Sequence, residues 1–450
     1  MQTGGRAPEV KPGDDELVDR FQRAAFQYFL DHADPKTGLV PDTSREGVPA
    51  SVAVVGFALS AYPVGVERGW MSRGDAASLT GAALRFLAEA DQSRADGASG
   101  YRGFFYHFLD MKSGRRAWNC ELSMLDTALL LAGALAAAAY FGGEDRSERE
   151  IRELAQLLYD RVDWRWAQSN KQTIRHGWRP RSGFLRYGWD GYNEAAILYV
   201  LALGSTTHPI DARAYEAWAS TYRWERIYGR CTLYGGPLFL DQFSHAWIDF
   251  DGIRDRYMRA RRSDYFLNSR RATEVHREYA KRNPGGFKGY GEDFWGLSAT
   301  DGPGNFKCSV DGRKRRFWAY KARGAPHGPD DGTVAPWSYL ASLPFSPEIC
   351  LSALRHLVQT YPDAVKGDRM PSGINPTLAG TRGFGAEGWV SDALYGLDQG
   401  IMVMMAENYR SGLLWTLMRG VVPIRRGLEV AGFKGGWLEE PKPRRRAMEP

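Results

Sequence analysis

The sequence has few cysteines, and their spacing excludes several kinds of site. It contains four cysteines in 450 residues, and none of them forms a C-x-x-C pair, which excludes the zinc and thioredoxin-like motifs built on such pairs. Because Cys120, Cys231, Cys308 and Cys350 are widely spaced, we expect four free thiols that behave as small apolar residues. Two disulfides are the alternative.

The sequence also lacks a hydrophobic run long enough to predict a membrane span. The longest apolar run, 128–141, is shorter than the roughly 18 residues that a span needs, so we expect a buried helix there. Residues 1–13 contain no apolar segment and therefore no secretory leader. We expect either a cytoplasmic protein or a mature chain whose leader was removed, and the sequence alone leaves both open.

Charge and motifs exclude further classes. The 59 Lys and Arg against 53 Asp and Glu leave a net charge of only +6, which is weak support for a polyanionic partner, and we expect no nucleic-acid partner. H-E-x-x-H, G-x-x-x-x-G-K-[ST] and G-x-S-x-G are absent, so zincin, P-loop and α/β-hydrolase functions are not supported. We expect neither a metal nor a cofactor.

Aromatic residues and glycine, by contrast, are abundant. The chain has 15 Trp, 22 Tyr, 21 Phe and 51 Gly. This composition suits loops that stack flat apolar faces, as in sugar-binding clefts. The stretches most typical of long loops are 164–190, 225–251 and 283–336, and long loops inside a compact domain are usually functional.

Helical periodicity dominates between these loops. Apolar residues recur at three- and four-residue steps from residue 17 onward, behind Asp14 and Asp15, which can cap a helix. Ser147 and Glu150 form a capping-box pattern, and Pro347 suits the first position of a helix. The other predicted helical stretches are 50–68, 74–93, 120–141, 147–162, 191–204, 210–222, 252–282, 346–361 and 391–418.

These patterns predict an all-α fold. Strand signals are scarce, although 102–109 could be one arm of a short hairpin that turns at 112–114. About a dozen helices in hairpin pairs favour a helical toroid, with a bundle or solenoid as the alternative. We divide the chain into a flexible segment at 1–13, a single catalytic domain at 14–436 and a basic, proline-rich tail at 437–450.

Several acidic residues lie beside aromatic residues where helices are predicted to begin. Glu194 directly precedes an apolar helix and lies near Trp189 and Tyr192. The positive helix end favours the ionised carboxylate, whereas burial favours the neutral acid. A glutamate that merely helps the helix to start is the alternative. Asp398 also precedes an apolar run, and Asp126 is flanked by apolar residues, where a carboxylate is costly unless it is paired.

Carboxyl groups among aromatic residues are what glycoside hydrolysis requires. One carboxylic acid protonates the leaving oxygen, and one carboxylate activates water or attacks the sugar. In inverting enzymes the two groups lie ~6.5–9.5 Å apart, which leaves room for that water. Spacing along the sequence does not supply this distance.

Beyond single residues, the chain resembles a known family, the glucoamylase-like family that contains bacterial endo-β-1,2-glucanases. The resemblance consists of collinear blocks from about residue 15 to residue 420. The matching blocks are TGLVPDT (37–43), ASVAVVGFA (50–58), GFFYHF (103–108), SMLDTALLLAG (123–133), GYNEA (191–195), GPLF (236–239), QFSHAWIDF (242–250), FWGLSATDGP (294–303), DGTVAP (331–336), LPF (343–345), LDQG (397–400) and ENYRSGLLW (407–415).

This resemblance implies an (α/α)6 barrel and metal-independent, inverting cleavage of β-1,2-glucan into sophoro-oligosaccharides. It implies that Glu194 is the general acid and Asp398 the general base. Asp126 and Glu121 fall in a block whose acidic residues matter in the family, so we expect at least one of them near the sugars. A buried carboxylate bonded to backbone amides is the alternative for either residue.

Further residues are candidates for substrate binding. We expect some of the aromatic ones to stack on sugars and the polar ones to bind sugar hydroxyls, although a core position or a structural histidine is the alternative. These candidates are Tyr106, Trp189, Tyr192, Gln242, His245, Trp295, Asp301 and Trp318.

The chain departs from the family pattern in loops near the expected cleft. Ile401 stands where a proline is expected, Gly304 is followed by Asn305 and Phe306, and 307–323 is unusually basic. Endo or exo action and the preference for linear or cyclic glucan therefore stay open. We expect a β-glucan partner and a monomer or weak homodimer. A transglycosylating or cyclising relative and a non-catalytic glucan-binding protein are the alternative functions.

Overall fold

The computed structural model describes residues 13–169, 171–381 and 383–439. The predictions for the N-terminal segment and for most of the basic tail therefore fall outside the described residues. Within them the fold is mainly helical, as predicted. The α-helices are α1 (Asp14–His32), α2 (Val52–Glu67), α3 (Arg73–Glu89), α4 (Met124–Tyr140), α5 (Arg146–Asp160), α6 (Trp164–Gln168), α7 (Ala196–Gly204), α8 (Arg213–Ser220), α9 (Arg256–Ala260), α10 (Tyr265–Arg282), α11 (Ser338–Ala341), α12 (Pro347–Thr360), α13 (Gly396–Arg410), α14 (Leu413–Arg419) and α15 (Val422–Val430).

The strands are short and form small antiparallel sheets at the ends of helices. The largest sheet has the order β2-β3-β5-β6-β7, and the others are two-stranded. The strands are β1 (Ala50–Ser51), β2 (Gly100–Tyr101), β3 (Phe104–Tyr106), β4 (Phe108–Leu109), β5 (Leu122–Ser123), β6 (Gly177–Arg179), β7 (Gly183–Phe184), β8 (Trp224–Ile227), β9 (Arg230–Leu233), β10 (Ala299–Thr300), β11 (Phe306–Val310), β12 (Arg313–Phe317), β13 (Lys321–Ala322), β14 (Ile374–Asn375) and β15 (Trp389–Val390).

Most predicted helices are present, with shifted ends. The stretch 252–282 divides into α9 and α10, and 391–418 into α13 and α14. The predicted capping box is wrong: the N-cap of α5 is Asp145, whose side chain accepts hydrogen bonds from the backbone of Ser147 and Glu148. Pro347 begins α12 as predicted. Most strands were missed because segments of two to five residues are too short to show a period of two.

The helices alternate between two environments along the chain. α2, α4, α7, α11 and α13 are buried on nearly all sides, whereas α1, α3, α5, α8, α10 and α12 bury one face. Because α2, α4 and α7 are apolar on all sides, they suit an interior position.

α2 and α4 approach each other through glycine. A Cβ on Gly56 would collide with the backbone of Leu129, and one on Gly133 would collide with the backbone of Gly56. The two glycines therefore permit backbone contact between the helices. This contact fixes the start of α4, where Asp126 lies, relative to α2.

Two other features bear on the predictions. All four cysteines lie in the described part of the chain, and none is in a disulfide. Within that same part, no helix is both long and apolar enough to cross a lipid bilayer.

Candidate active site

A cavity of about 580 Å³ lies at the N-terminal ends of α4, α7 and α13. Its lining is partly polar and partly apolar. Four acidic residues belong to the lining: Asp42, Asp126, Glu194 and Asp398. The apolar part of the lining comes mainly from Leu125, Leu129, Phe239, Phe243, Trp337 and Leu397.

Glu194 is held by a fixed loop just before α7. The Ser244 hydroxyl donates to the Glu194 carbonyl at 2.7 Å, and the Ala195 amide donates to the Asn193 side chain at 3.0 Å. Upstream, the Tyr192 hydroxyl donates to Asp241 at 2.8 Å. Burial, assisted by the negative charge of Asp126, raises the pKa of Glu194 to about 7. The side chain is therefore able to carry and release a proton near neutral pH.

Asp398 lies in the first turn of α13 and is only 5% exposed. Burial raises its pKa well above the ordinary value, Asp42 and Asp301 add to the increase, and a hydrogen bond from Ser372 opposes it. Its Oδ2 has no hydrogen-bond partner among the described residues. A buried oxygen without a partner is costly, and this one belongs to a residue that lines the cavity.

α13 is placed by its neighbours on both sides. The Gly396 amide donates to the Asp42 carbonyl at 2.9 Å, which joins the start of this helix to the loop that carries Asp42. A Cβ on Gly400 would collide with the Phe57 side chain of α2. The close approach of these two helices therefore sets the position of Asp398.

His107 connects two carboxyl groups at the start of α4. Its Nδ1 lies 3.0 Å from Oε1 of Glu121 and 3.7 Å from Oδ2 of Asp126. Burial lowers the pKa of His107, but the charges of Asp126 and Glu121 outweigh that effect and raise it to about 9. The hydrogen bond from His107 lowers the pKa of Glu121 to about 2. An imidazolium paired with the carboxylate of Glu121 is therefore the state expected at neutral pH.

Asp42 is a fourth carboxyl of the cavity. Burial raises its pKa to about 6, the charge of His107 opposes this increase, and Asp126 adds to it. Electrostatic interactions thus link Asp42 to the His107 cluster as well as to Asp398.

An ion-paired network also borders the cavity. Arg45, which lines the cavity, donates to Asp301 and to Asp392 at 2.8 Å each and to the Tyr395 hydroxyl at 3.1 Å. Tyr320 stacks on Tyr395 with ring centroids 5.6 Å apart. The predicted residue Asp301 therefore supports the lining through Arg45 and does not itself line the cavity.

Several predicted binding residues are core residues instead. Trp295 is 1% exposed and packs against Tyr339, and Tyr106 is fully buried beneath the guanidinium of Arg116. Both rings are buried, and neither lines the cavity that contains Glu194 and Asp398.

The polar pair Gln242 and His245 is also structural. Gln242 is buried and donates to the Ser338 carbonyl and the Ser342 hydroxyl at 3.2 and 2.7 Å. Nε2 of His245 lies 3.0 Å from the Ser269 hydroxyl, and burial lowers the pKa of this histidine to about 3. Both side chains are thus buried and bonded to neighbouring helices, and neither lines the cavity.

The remaining predicted aromatic residues lie outside the cavity lining. Trp189 stacks on His176 at 4.1 Å, and Tyr192 supports the loop of Glu194. The backbone amide of Trp318 donates to Asp331 at 3.0 Å, and Arg316 covers its ring. Of the residues predicted for the site, Glu194, Asp398 and Asp126 line the cavity, and Glu121 is joined to it through His107.

Sequence reasoning missed Asp42, Arg45, His107, Trp118 and Tyr320. Signals existed for two of them: Asp42 is the single acidic residue of the block 37–43, and His107 is the single basic residue of the aromatic block 103–108.

Comparisons with known proteins agree on a family. Residues 186–421, more than half of the chain, match the family model Glycoamylase, described as "Putative glucoamylase". A crystal structure of a protein with that same description, from Bacteroides uniformis, is 30% identical, covers 96% of this chain and 100% of its own, and has a TM-score of 0.83.

Two other relatives have more specific names. The structure of an endo-β-1,2-glucanase from Chitinophaga pinensis, in complex with sophorotriose and glucose, is 27% identical, covers 94% of this chain and 99% of its own, and has a TM-score of 0.82. An exo-β-1,2-glucooligosaccharide sophorohydrolase (non-reducing end) from Parabacteroides distasonis is 28% identical over 92% of this chain. The chain spans 58% of the length of that curated relative.

The family model, the relative at 30% identity and the collinear blocks of the sequence lead to the same conclusion. This chain belongs to the glucoamylase-like family.

Proposed function

We propose that this chain is a glycoside hydrolase that cleaves β-1,2-glucan and releases sophoro-oligosaccharides. The observation that carries the proposal is that Glu194 and Asp398, from distant parts of the chain, line one cavity. The similarity to proteins named for hydrolysis of β-1,2-linked glucosides supports the choice of substrate.

Glu194 is the proposed general acid. Its pKa of about 7 keeps the carboxyl protonated in mildly acidic solution. It donates that proton, directly or through a substrate hydroxyl, to the glycosidic oxygen as the bond from this oxygen to the anomeric carbon breaks. The leaving chain departs as an alcohol, and Glu194 is left as a carboxylate.

Asp398 is the proposed general base. It accepts a proton from the water that attacks the anomeric carbon from the opposite face, which inverts the configuration there. Its raised pKa favours the neutral acid. Hydrogen bonds from sugar hydroxyls and water to its unpartnered Oδ2 would favour the ionised form, because donors stabilise a carboxylate.

We also propose that the buried helices form the inner ring of an (α/α)6 barrel. In chain order α2, α4 and α7 pack side by side, and α11 packs on α13, which returns to α2. The 3-10 helix Phe243–Ala246 fills the gap: Ser244 accepts from the Ile197 amide of α7, and neighbouring Gln242 donates to the Ser338 carbonyl of α11. This circular order supports the proposal, and a ring of this kind would place helix ends around one cavity.

Exo action, with release of sophorose from a chain end, is a second candidate, because the relative from Parabacteroides distasonis has an exo-acting name. The distinction lies in the products. An endo enzyme shortens long chains quickly and releases a range of oligosaccharides, whereas an exo enzyme releases one product from the start.

The test is a product profile on linear and cyclic β-1,2-glucans, with β-1,3-, β-1,4- and α-linked glucans as controls. We expect new reducing ends from β-1,2-glucan alone and none from the Glu194→Gln variant. New chain lengths without new reducing ends would instead indicate a transglycosylase. Binding without turnover at any pH would indicate a non-catalytic protein.

A further inference from the structure

Trp118 differs from Trp337, the other tryptophan in the lining of the cavity, which is buried. It lines the cavity, yet 62% of it is exposed to solvent. Its ring touches Phe108 at a tilt, with centroids 4.8 Å apart. Because most of the indole is in water, filling the core does not explain its position.

The backbone around Trp118 adopts a conformation that side chains rarely accept. The φ angles of Trp118 and Asn119 are 52° and 48°, so two consecutive non-glycine residues occupy the left-handed region. For a bulky residue such as tryptophan this is unfavourable, and such backbone persists only where the surroundings impose it.

The side chain of Arg116 is hydrogen-bonded to this turn. Its guanidinium donates to the carbonyl of Cys120 at 2.6 Å and to that of Asn119 at 2.8 Å. The same guanidinium lies 4.6 Å from the centre of the Tyr106 ring, which is fully buried. Arg116 therefore connects the turn at Trp118 and Asn119 to the core, and this turn places the indole of Trp118 at the edge of the cavity.

From this geometry we propose that Trp118 is a sugar-stacking platform for an outer glucosyl unit of the bound chain. A pyranose has a face of C–H groups that packs on a flat aromatic ring, and a rigid ring loses little conformational freedom on binding. Asp398 is 5% exposed and Trp118 is 62% exposed, so they lie at different depths and contact different units. The inference rests on the proposed function and names the subsite that selects chain length.

The experiment compares Trp118→Ala with Tyr187→Ala. Tyr187 is 68% exposed and is not among the residues that line the cavity, so it is a matched exposed aromatic. Affinity for β-1,2-gluco-oligosaccharides of increasing length is measured by calorimetry, and kcat and KM are measured on the same series.

We expect Trp118→Ala to weaken binding and raise KM about tenfold for the longer oligosaccharides, the usual scale for truncating a contact tryptophan. The shortest substrate should be affected little, and kcat should stay close to that of the wild type. Trp118→Phe should restore most of the affinity, and Tyr187→Ala should match the wild type at every length.

The outcomes separate this inference from the proposed function. If Trp118→Ala binds and cleaves every length as the wild type does, the platform is wrong and the proposed function stands. If the wild type binds the series in a Trp118-dependent way without cleaving it, the proposed function is wrong and the platform stands. If the wild type binds no member of the series, both are wrong.

Discussion

Two groups of carboxyl-bearing residues at the cavity have opposite surroundings. In the first group, Nδ1 of His107 lies within 4 Å of both Glu121 and Asp126. In the second group, burial raises the pKa of both Glu194 and Asp398, and Oδ2 of Asp398 has no partner among the described residues.

The difference shows that the partner, and not the residue type, decides what a carboxyl group can do. A carboxylate paired with a cation stays ionised and can only accept hydrogen bonds, which suits the binding of sugar hydroxyls. A buried carboxyl without a cation can exchange a proton near neutral pH, which suits general acid or base catalysis.

Removing either uncompensated carboxyl should have the largest effect. We expect Glu194→Gln and Asp398→Asn each to lower kcat on β-1,2-glucan by about 10²–10⁴-fold, because each removes a proton-transfer group. Initial rates of reducing-end release measure the loss. Glu429→Gln, a change at an exposed glutamate of α15, is the control and should retain full activity.

The same assignment predicts the direction of the pH dependence. Glu194 acts as an acid only while protonated, and its pKa is about 7. Above pH 7 we therefore expect kcat/KM to fall about tenfold for each pH unit. The Glu429→Gln variant should follow the same profile. A value of kcat/KM that stays constant from pH 6 to pH 9 would show that Glu194 is not the general acid.

In the His107 group, the larger effect should be on stability. The pKa of His107 is about 9 in the folded protein, above the ordinary value for histidine of about 6.5. Its contribution is therefore complete below pH 6.5 and is lost as the pH rises through 9. We expect this contribution to be about 2–3 kcal/mol, measured as the free energy of unfolding in urea at pH 6 and pH 9.5.

Two variants isolate this contribution. The wild type should lose its advantage over His107→Gln between the two pH values. His208→Gln, a change at an exposed histidine, should keep the same difference from the wild type at both. An identical pH dependence in the wild type and His107→Gln would show that the imidazolium contributes nothing.

The smallest effect is expected at the exposed network beside the cavity. Tyr395→Phe removes one hydrogen bond from Arg45, at 3.1 Å, and keeps the ring that stacks on Tyr320. Because Arg45 is partly in solvent, we expect a loss of about 0.5–1 kcal/mol in unfolding free energy. Tyr187→Phe serves as the control. A loss above about 2 kcal/mol would mean that this network holds the cavity wall together.

The fold was predictable because most of its helices are long and periodic. The stretch that became α4 is apolar for more than three turns, and no loop or strand accounts for such a run. The strands were not predictable, since β1 and β4 have two residues each and exist only because distant segments meet.

Two residues of the site were predictable. Glu194 and Asp398 lie next to apolar helical stretches in the sequence, and the family resemblance implied their roles. Trp295 and Trp118 show the limit: the first was a predicted candidate and the second was missed, yet tertiary packing buries the first and exposes the second. His107 was missed for a related reason, because its two partners are 14 and 19 residues away along the chain and reach it only when β3 pairs with β5.

The most direct test of the central claim is the anomeric configuration of the first product. Proton NMR of wild-type protein with linear β-1,2-glucan should show new reducing ends in the α configuration before mutarotation, because water attacks opposite the bond that breaks. Neither Glu194→Gln nor Asp398→Asn should give this signal. A first product in the β configuration, or an undiminished signal from either variant, would contradict the claim that these two carboxyl groups act as an acid and base pair across one cavity.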